Sequence, residues 1–230
     1  MHLTVLGATG GTGRALLDQA LAAGHKVTAA VRRPEAVPSR DGLEVVACDV
    51  RDPDAVDAAV VGRDAVVSTL GGVFTRGPVD VYSVGTGHAV AAMRRHGVRR
   101  LAVVSSTAIV PGGHPGGGLV FDRLVEPFVA RVLGRTLYED MRRMEELVRA
   151  SDLDWTVARP SGLFDVPAPT DYTLSEDRSV SLYTARADLA AALLTAVTGE
   201  EWTRRVMAVS TTVAKPSILG LIWREGISRR

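Results

Sequence analysis

Gly7-Ala8-Thr9-Gly10-Gly11-Thr12-Gly13 constrains this chain more than any other stretch, because of what flanks it. The apolar run His2-Leu3-Thr4-Val5-Leu6 reads as a strand, and Arg14-Ala15-Leu16-Leu17-Asp18-Gln19-Ala20 reads as a helix. A strand that feeds a helix through glycines leaves backbone N–H groups at the helix mouth. There the positive end of the helix dipole can hold a pyrophosphate. Gly7 suits the tight turn, Gly10 leaves room for phosphates to approach, and Gly13 lets helix lie against strand. The spacing is Gly-X-X-Gly-X-X-Gly rather than the commoner Gly-X-Gly-X-X-Gly, so the strand–turn–helix context carries the reading of a dinucleotide site.

Further apolar, β-branched runs follow at Lys26 to Val31, Leu43 to Ala47, Asp64 to Thr69, Arg99 to Ser105 and Asp154 to Ala158, with helical patterns near 52–60, 80–96 and 136–150. Strands so continuously apolar are buried on both faces. Their alternation with helices predicts an α/β chain, a Rossmann-like doubly wound parallel sheet in a single domain. The cofactor part is expected over about 1–158 and a smaller substrate-side part over about 159–230. The 230 residues and 46% hydrophobic content suit one large core.

In such sheets ligands lie across the carboxyl ends of the strands, so the residues after each strand are the candidates. After the second strand come Arg32 and Arg33, where an NAD-selective chain would carry an acid. A guanidinium there prefers the 2′-phosphate of NADP(H), the alternative being a solvated pair ahead of a turn. After the third strand, Asp49 either accepts from the adenine amino group or caps the helix near Asp52, while Val50 packs on the ring. Thr69, Leu70 and Gly71 follow the fourth strand and would let backbone approach the nicotinamide end. Ser105 and Ser106 end the fifth, and Arg159 and Pro160 the sixth. Ser106 is a candidate catalytic hydrogen-bond donor and Tyr138 the reserve acid.

Other segments are read with blander alternatives beside them. Residues 111–118, Pro-Gly-Gly-His-Pro-Gly-Gly-Gly, suit a flap, in which His114 is more simply a solvated side chain. The 119–133 segment places Val120, Leu124, Phe128 and Val132 on one helical face. Arg186-Ala187-Asp188 opens a helix with an expected Arg186–Asp188 contact. The apolar 218–223 tail docks on the body or on a second subunit, so a homodimer is open.

Composition narrows the partners. Lys plus Arg is 27 against 26 acidic residues, giving +1, so there is no general attraction to nucleic acid or an anionic membrane. The lone Cys48 has no disulfide or metal-binding companion. The opening apolar run is too short for a signal peptide, and a cytoplasmic protein acting on a small molecule is expected, with no metal.

Taken together, the chain resembles the atypical short-chain dehydrogenase/reductases, in the NAD(P)H-binding group that includes flavin reductases and NmrA-like proteins. Beyond the glycine turn, the resemblance rests on Val31-Arg32, Asp49-Val50, Ala91-Ala92-Met93 with His96-Gly97-Val98, Ser105-Ser106, Met144 to Ser151, Asp154-Trp155-Thr156 with Arg159-Pro160, and Arg186 with Asp188-Leu189, over roughly 1–209. It implies that Gly7, Thr9, Gly10, Gly11 and Thr12 hold the pyrophosphate, Arg32 the 2′-phosphate and Asp49 with Val50 the adenine. Leu70, Gly71, Ser105, Ser106 and Pro160 would meet the nicotinamide end. The departures are specific. No tyrosine (Tyr82, Tyr138, Tyr172, Tyr183) is followed four residues later by lysine, and Tyr138 has Arg142 there instead. Histidines of the flavin-reductase pocket are replaced by Met141 and Gly162. The expected activity is NADPH-dependent hydride transfer to a planar conjugated acceptor; the alternatives are a non-catalytic NADP(H) sensor and, behind both, an isomerase using the cofactor transiently.

Overall fold

A computed structural model describes residues 1–72, 75, 77–113, 115 and 134–213. Ten strands and five α-helices are described. They are β1 (His2–Leu6), α1 (Gly11–Ala22), β2 (Lys26–Val31), β3 (Leu43–Ala47), α2 (Pro53–Val60), β4 (Ala65–Ser68), α3 (Val81–His96), β5 (Arg100–Val104), α4 (Arg135–Arg149), β6 (Asp154–Pro160), β7 (Gly162–Phe164), β8 (Tyr172–Glu176), β9 (Tyr183–Ala185), α5 (Arg186–Thr198) and β10 (Arg205–Thr211). Eight strands form one sheet in the order β3-β2-β1-β4-β5-β6-β10-β8, parallel except for the β10–β8 pair, and β7 and β9 form a small parallel pair beside it. This is the expected doubly wound sheet, with its order reversing between β1 and β4.

Alternation along β1 shows why the strands read as continuous apolar runs. Leu3 and Val5 face a core completed by Leu16, Leu17 and Ala20 of α1 and Leu189 and Leu193 of α5. Leu6 faces the opposite core, built from Val56 and Val60 of α2, Val90 and Met93 of α3, and Met141, Met144 and Val148 of α4. Thr4 shares that second face and satisfies its hydroxyl by donating to the Ala59 carbonyl at 2.5 Å. Both faces of the sheet are therefore covered, as a parallel sheet requires.

Local chemistry sets the helix starts. Asp52 caps α2, accepting from the Asp54 and Ala55 amides, and Pro53 follows at the first helical position. At α3 the neighbouring Asp80 makes no capping bond. Instead Asp140, fully buried on α4, accepts from the Tyr82 amide at 2.9 Å, the Ser83 amide and the Ser83 hydroxyl. The start of α3 is thus supplied by a different helix.

The substrate-side part departs from expectation. β6 continues two residues beyond Ala158, pairing through Pro160 with Val209 of β10, and β7 to β10 are strands that the pattern did not single out. The expected 119–133 helix, His114 and the 218–223 tail lie outside the described residues.

Candidate active site: a coenzyme crevice at the sheet reversal

The glycine turn sits at the carboxyl end of β1, pressed against the end of β4. Gly7 has φ +80, and a Cβ there would lie 2.8 Å from the Thr69 carbonyl oxygen. A Cβ on Gly13 would lie 2.4 Å from the Gly7 oxygen, so only glycine lets α1 start this close to β1. Gly10 is the N-cap of α1 without a capping side chain, and the first turn holds no acid. Its N–H groups precede any intrahelical acceptor. Thr9, Gly10 and Gly11 are exposed, and a Cβ on Gly10 would meet only the Gly7 oxygen at 3.4 Å. The cradle above these amides is open and positively polarised, which fits a pyrophosphate. Thr12 is buried beneath it. The Thr69 hydroxyl donates to the Leu6 and Gly7 carbonyls at 3.0 and 3.2 Å. Its side chain therefore fastens β4 to the turn, and only its backbone borders the cradle.

On the β2–β3 side, Arg32 and Arg33 are exposed, and their guanidinium groups have no hydrogen-bond or ion-pair partner among the described residues. Asp49 accepts from the Arg51 amide at 3.0 Å and does not cap α2, the role Asp52 takes, so the capping alternative is set aside. Val50 is buried, and α3 holds it from behind. A Cβ on Gly85 would lie 3.0 Å from both Val50 and Leu70, and the His88 Nδ1 bonds the Val50 carbonyl at 2.9 Å. Burial, with Asp49 and Asp52 nearby, pushes the Cys48 thiol from 9.0 up to about 11, which makes it an inert neighbour of this pocket.

The far end of the crevice is built from β4, β5 and α4. Gly71 has open space where a side chain would project, and the Gly72 amide donates to the Tyr82 hydroxyl at 2.8 Å. Ser105 is buried, and its hydroxyl is among the few buried side-chain polar atoms without a hydrogen-bond partner among the described residues. An orphaned buried hydroxyl beside an open glycine loop fits a site meant to be completed by a ligand. The Ser106 hydroxyl accepts from the Ala108 amide at 3.2 Å, starting the short 3-10 turn Thr107–Ile109. Tyr138 is buried on α4. Arg142, at the position a catalytic lysine would take, donates to the Ile109 carbonyl from Nε and Nη2 at 3.1 and 3.0 Å. Gly113 is docked by the Ser179 amide at 2.8 Å.

The Arg159 guanidinium is buried and clasps Glu145 of α4 through Nε at 2.9 Å and Nη2 at 2.5 Å, so its charge is met inside the protein. One expectation is corrected: Arg186 and Asp188 do not pair. Asp188, fully buried, accepts from the Thr170 amide and hydroxyl and from the Thr211 hydroxyl, while Arg186 reaches Asp165 at 2.9 Å. Sequence reasoning also missed that the Arg186 side chain lies against Gly11. A hollow of about 600 Å³ at the opposite end of the strands is lined by Met1, Arg63, Arg99 and Asp154. Its Arg99 and Asp154 pair with each other, and it holds no group of the crevice. Among the described residues no helix is long and apolar enough to cross a membrane, and no cluster of three His, Cys, Asp or Glu side chains could hold a metal ion.

Comparison with known proteins agrees with this crevice. A family described as NAD(P)H-binding matches residues 7–200. An uncharacterized chloroplastic protein of Arabidopsis thaliana is 31% identical over 186 residues, 75% of this chain and 62% of that protein, so the chain spans less than two thirds of that relative's length. A short-chain dehydrogenase/reductase from Veillonella parvula, solved in complex with NADP, superimposes with a TM-score of 0.74 at 19% identity, covering 94% of this chain and 99% of its own. An anaerobillin reductase from Escherichia coli O157:H7 does so at 0.74 and 22%, covering 94% and 100%. These two likenesses concern the fold. With the family match extending from the first glycine of the turn to just beyond α5, the chain belongs to the NAD(P)H-binding family.

Proposed function

We propose that the protein is an NADPH-dependent reductase that delivers hydride to a small, planar, conjugated acceptor such as a flavin, a quinone or a polycyclic ketone. The observation that carries this reading is a crevice that fits a dinucleotide, in a chain in which no tyrosine is followed four residues later by lysine. NADPH, when bound, supplies the hydride. The amides of the Gly7–Thr12 turn hold its pyrophosphate, and Arg32, with Arg33 beside it, binds the 2′-phosphate. Asp49 and Val50 take the adenine, and Leu70, Gly71, Ser105 and Pro160 border the nicotinamide end. A conjugated acceptor delocalises the charge it gains, so positioning supplies most of the acceleration. The Ser105 hydroxyl, unpartnered in the crevice wall, adds one donor beyond the Ser106 and Tyr138 expected from sequence. The E. coli neighbour, by its name a bilin-type reductase, acts on a substrate of this conjugated kind. The reading also keeps the protein in the cytoplasm.

The test follows NADPH absorbance with the purified protein against a panel of flavins, quinones, bilins and simple ketones. Oxidation with conjugated acceptors and none with simple ketones is expected; no oxidation with any acceptor, despite coenzyme binding, overturns the reading. That second outcome is what an NADP(H) sensor would give. The sensor reading is favoured by Arg142, whose guanidinium is engaged by the Ile109 carbonyl, and by Ser106, which serves as a turn cap. A sensor would bind oxidised and reduced coenzyme with different affinities while consuming neither.

A further inference from the structure

Arg186 stands where stability alone would not place a cation. It is the first residue of α5, at the positive end of that helix's dipole, an unfavourable position for a guanidinium. α5 also packs along α1, tied by the Gln19 side-chain amide donating to the Ala187 carbonyl at 2.9 Å, and the two helix starts lie together at the coenzyme end of the sheet. The Arg186 side chain crosses the glycine turn itself: a Cβ on Gly11 would meet its Cδ at 2.6 Å and its Nε at 3.0 Å. The absence of a side chain at Gly11 is therefore what lets the arginine reach over the cradle. Its partner Asp165 is 62% exposed against 22% for Arg186, and a pair so open to water is weak. The start of α1, with neither a capping side chain nor an acid in its first turn, and one loosely held guanidinium border a single open space, whereas α5 already carries the buried Asp188 in its own first turn.

We propose that Arg186 is a coenzyme ligand, which exchanges Asp165 for the pyrophosphate when the dinucleotide enters the crevice. The assignment rests on the reading that the cradle takes NAD(P)H. A doubly charged phosphate bridge offers paired acceptors to the planar guanidinium and meets the uncapped start of α1, which Asp165 does not do. Asp165 is then a competitor of the coenzyme, and it lies in the segment between β7 and β8, so binding frees a carboxylate on the substrate side.

The experiment measures NADPH and NADH binding by calorimetry for the wild type, Arg186→Gln, Arg186→Lys, Asp165→Asn and the Arg186→Gln/Asp165→Asn double variant, with thermal melts of each. Arg186→Gln is expected to weaken both coenzymes alike by about ten-fold or more, with Arg186→Lys recovering part of the loss. Asp165→Asn is expected to tighten both by about two- to five-fold, and the double variant to match Arg186→Gln, because Asp165 acts only through Arg186. Unchanged binding in Arg186→Gln, or weakening and a lowered melting temperature in both single variants, overturns the assignment while leaving the coenzyme site in place. Wild-type protein that binds neither coenzyme overturns both the assignment and the reading beneath it.

Discussion

At the scale of single residues, two arginines at strand ends differ in how their charge is met. The Arg32 guanidinium is exposed and without a partner among the described residues, whereas Arg159 is buried against Glu145. Arg32→Asp is therefore expected to weaken NADPH at least ten-fold (about 1.4 kcal/mol or more) and to leave NADH within about two-fold; calorimetry with both coenzymes decides, and equal losses would show that this side chain never meets the 2′-phosphate. Cys48 gives a pH prediction. The folded chain holds its thiol at about 11 against 9.0 for an ordinary one. The thiol is thus neutral in both states well below 9.0, and folding stability declines as pH rises from 9.0 toward 11, where only the unfolded chain ionises freely. Urea midpoints at pH 8 and pH 10 should converge in Cys48→Ala relative to the wild type, and a thiol reagent at pH 8 should label Cys48 only in denaturant. Sequence placed Arg32 correctly beside an expected strand end because both are local facts. It did not show how Arg159 is held because its partner, Glu145, is on another element, and nothing in the spacing of Arg159 and Pro160 announces a buried acid.

Among elements, the contacts that shape the crevice come from α4. Asp140 starts α3, α3 carries Tyr82, and the Tyr82 hydroxyl holds the Gly72 amide in the loop after β4. Glu145 fastens the same helix to β6 through Arg159. Removing Arg159 leaves the buried Glu145 only the longer contact from the exposed Arg149 at 3.4 Å, so Arg159→Met is expected to cost about 3 kcal/mol, whereas Arg159→Met with Glu145→Leu should recover most of it. Urea unfolding of the single and double variants measures this, and an additive double loss would contradict it. The inner strands of the coenzyme half were legible because β1, β2 and β4 are almost wholly buried, and the edge strand β3 because its Leu43 to Ala47 run is apolar and β-branched. β7 and β9, three residues each, are too short for any periodicity. β8 alternates between half-buried and exposed positions at the sheet edge. The cap of α3 was hidden for a different reason: it is a tertiary bond, and the local sequence shows only Asp80, which does not make it.

For the whole molecule, coenzyme binding should appear as stability. A ligand at a hundred times its dissociation constant adds about 2.7 kcal/mol to the folded state, which in a domain of this size raises the melting temperature by roughly 5–10 °C. NADPH is expected to do this, and Gly13→Ala is expected to abolish the shift, since the added methyl would meet the Gly7 carbonyl at 2.4 Å. A normal NADPH shift in that variant would show that the turn is not the binding site. The doubly wound parallel sheet and the place of the glycine turn were readable from the alternation of strands and helices; the strand order and which arginine answers to which acid were not. The borrowed carboxylate at the head of α3 carries one more implication. Although the glycine turn, Arg32, Asp49 and Leu70 all precede α4, a polypeptide severed ahead of residue 134 would lack the buried anion from which α3 begins. The nucleotide half of this protein is not an autonomous module, and its shape is finished by residues synthesised after it.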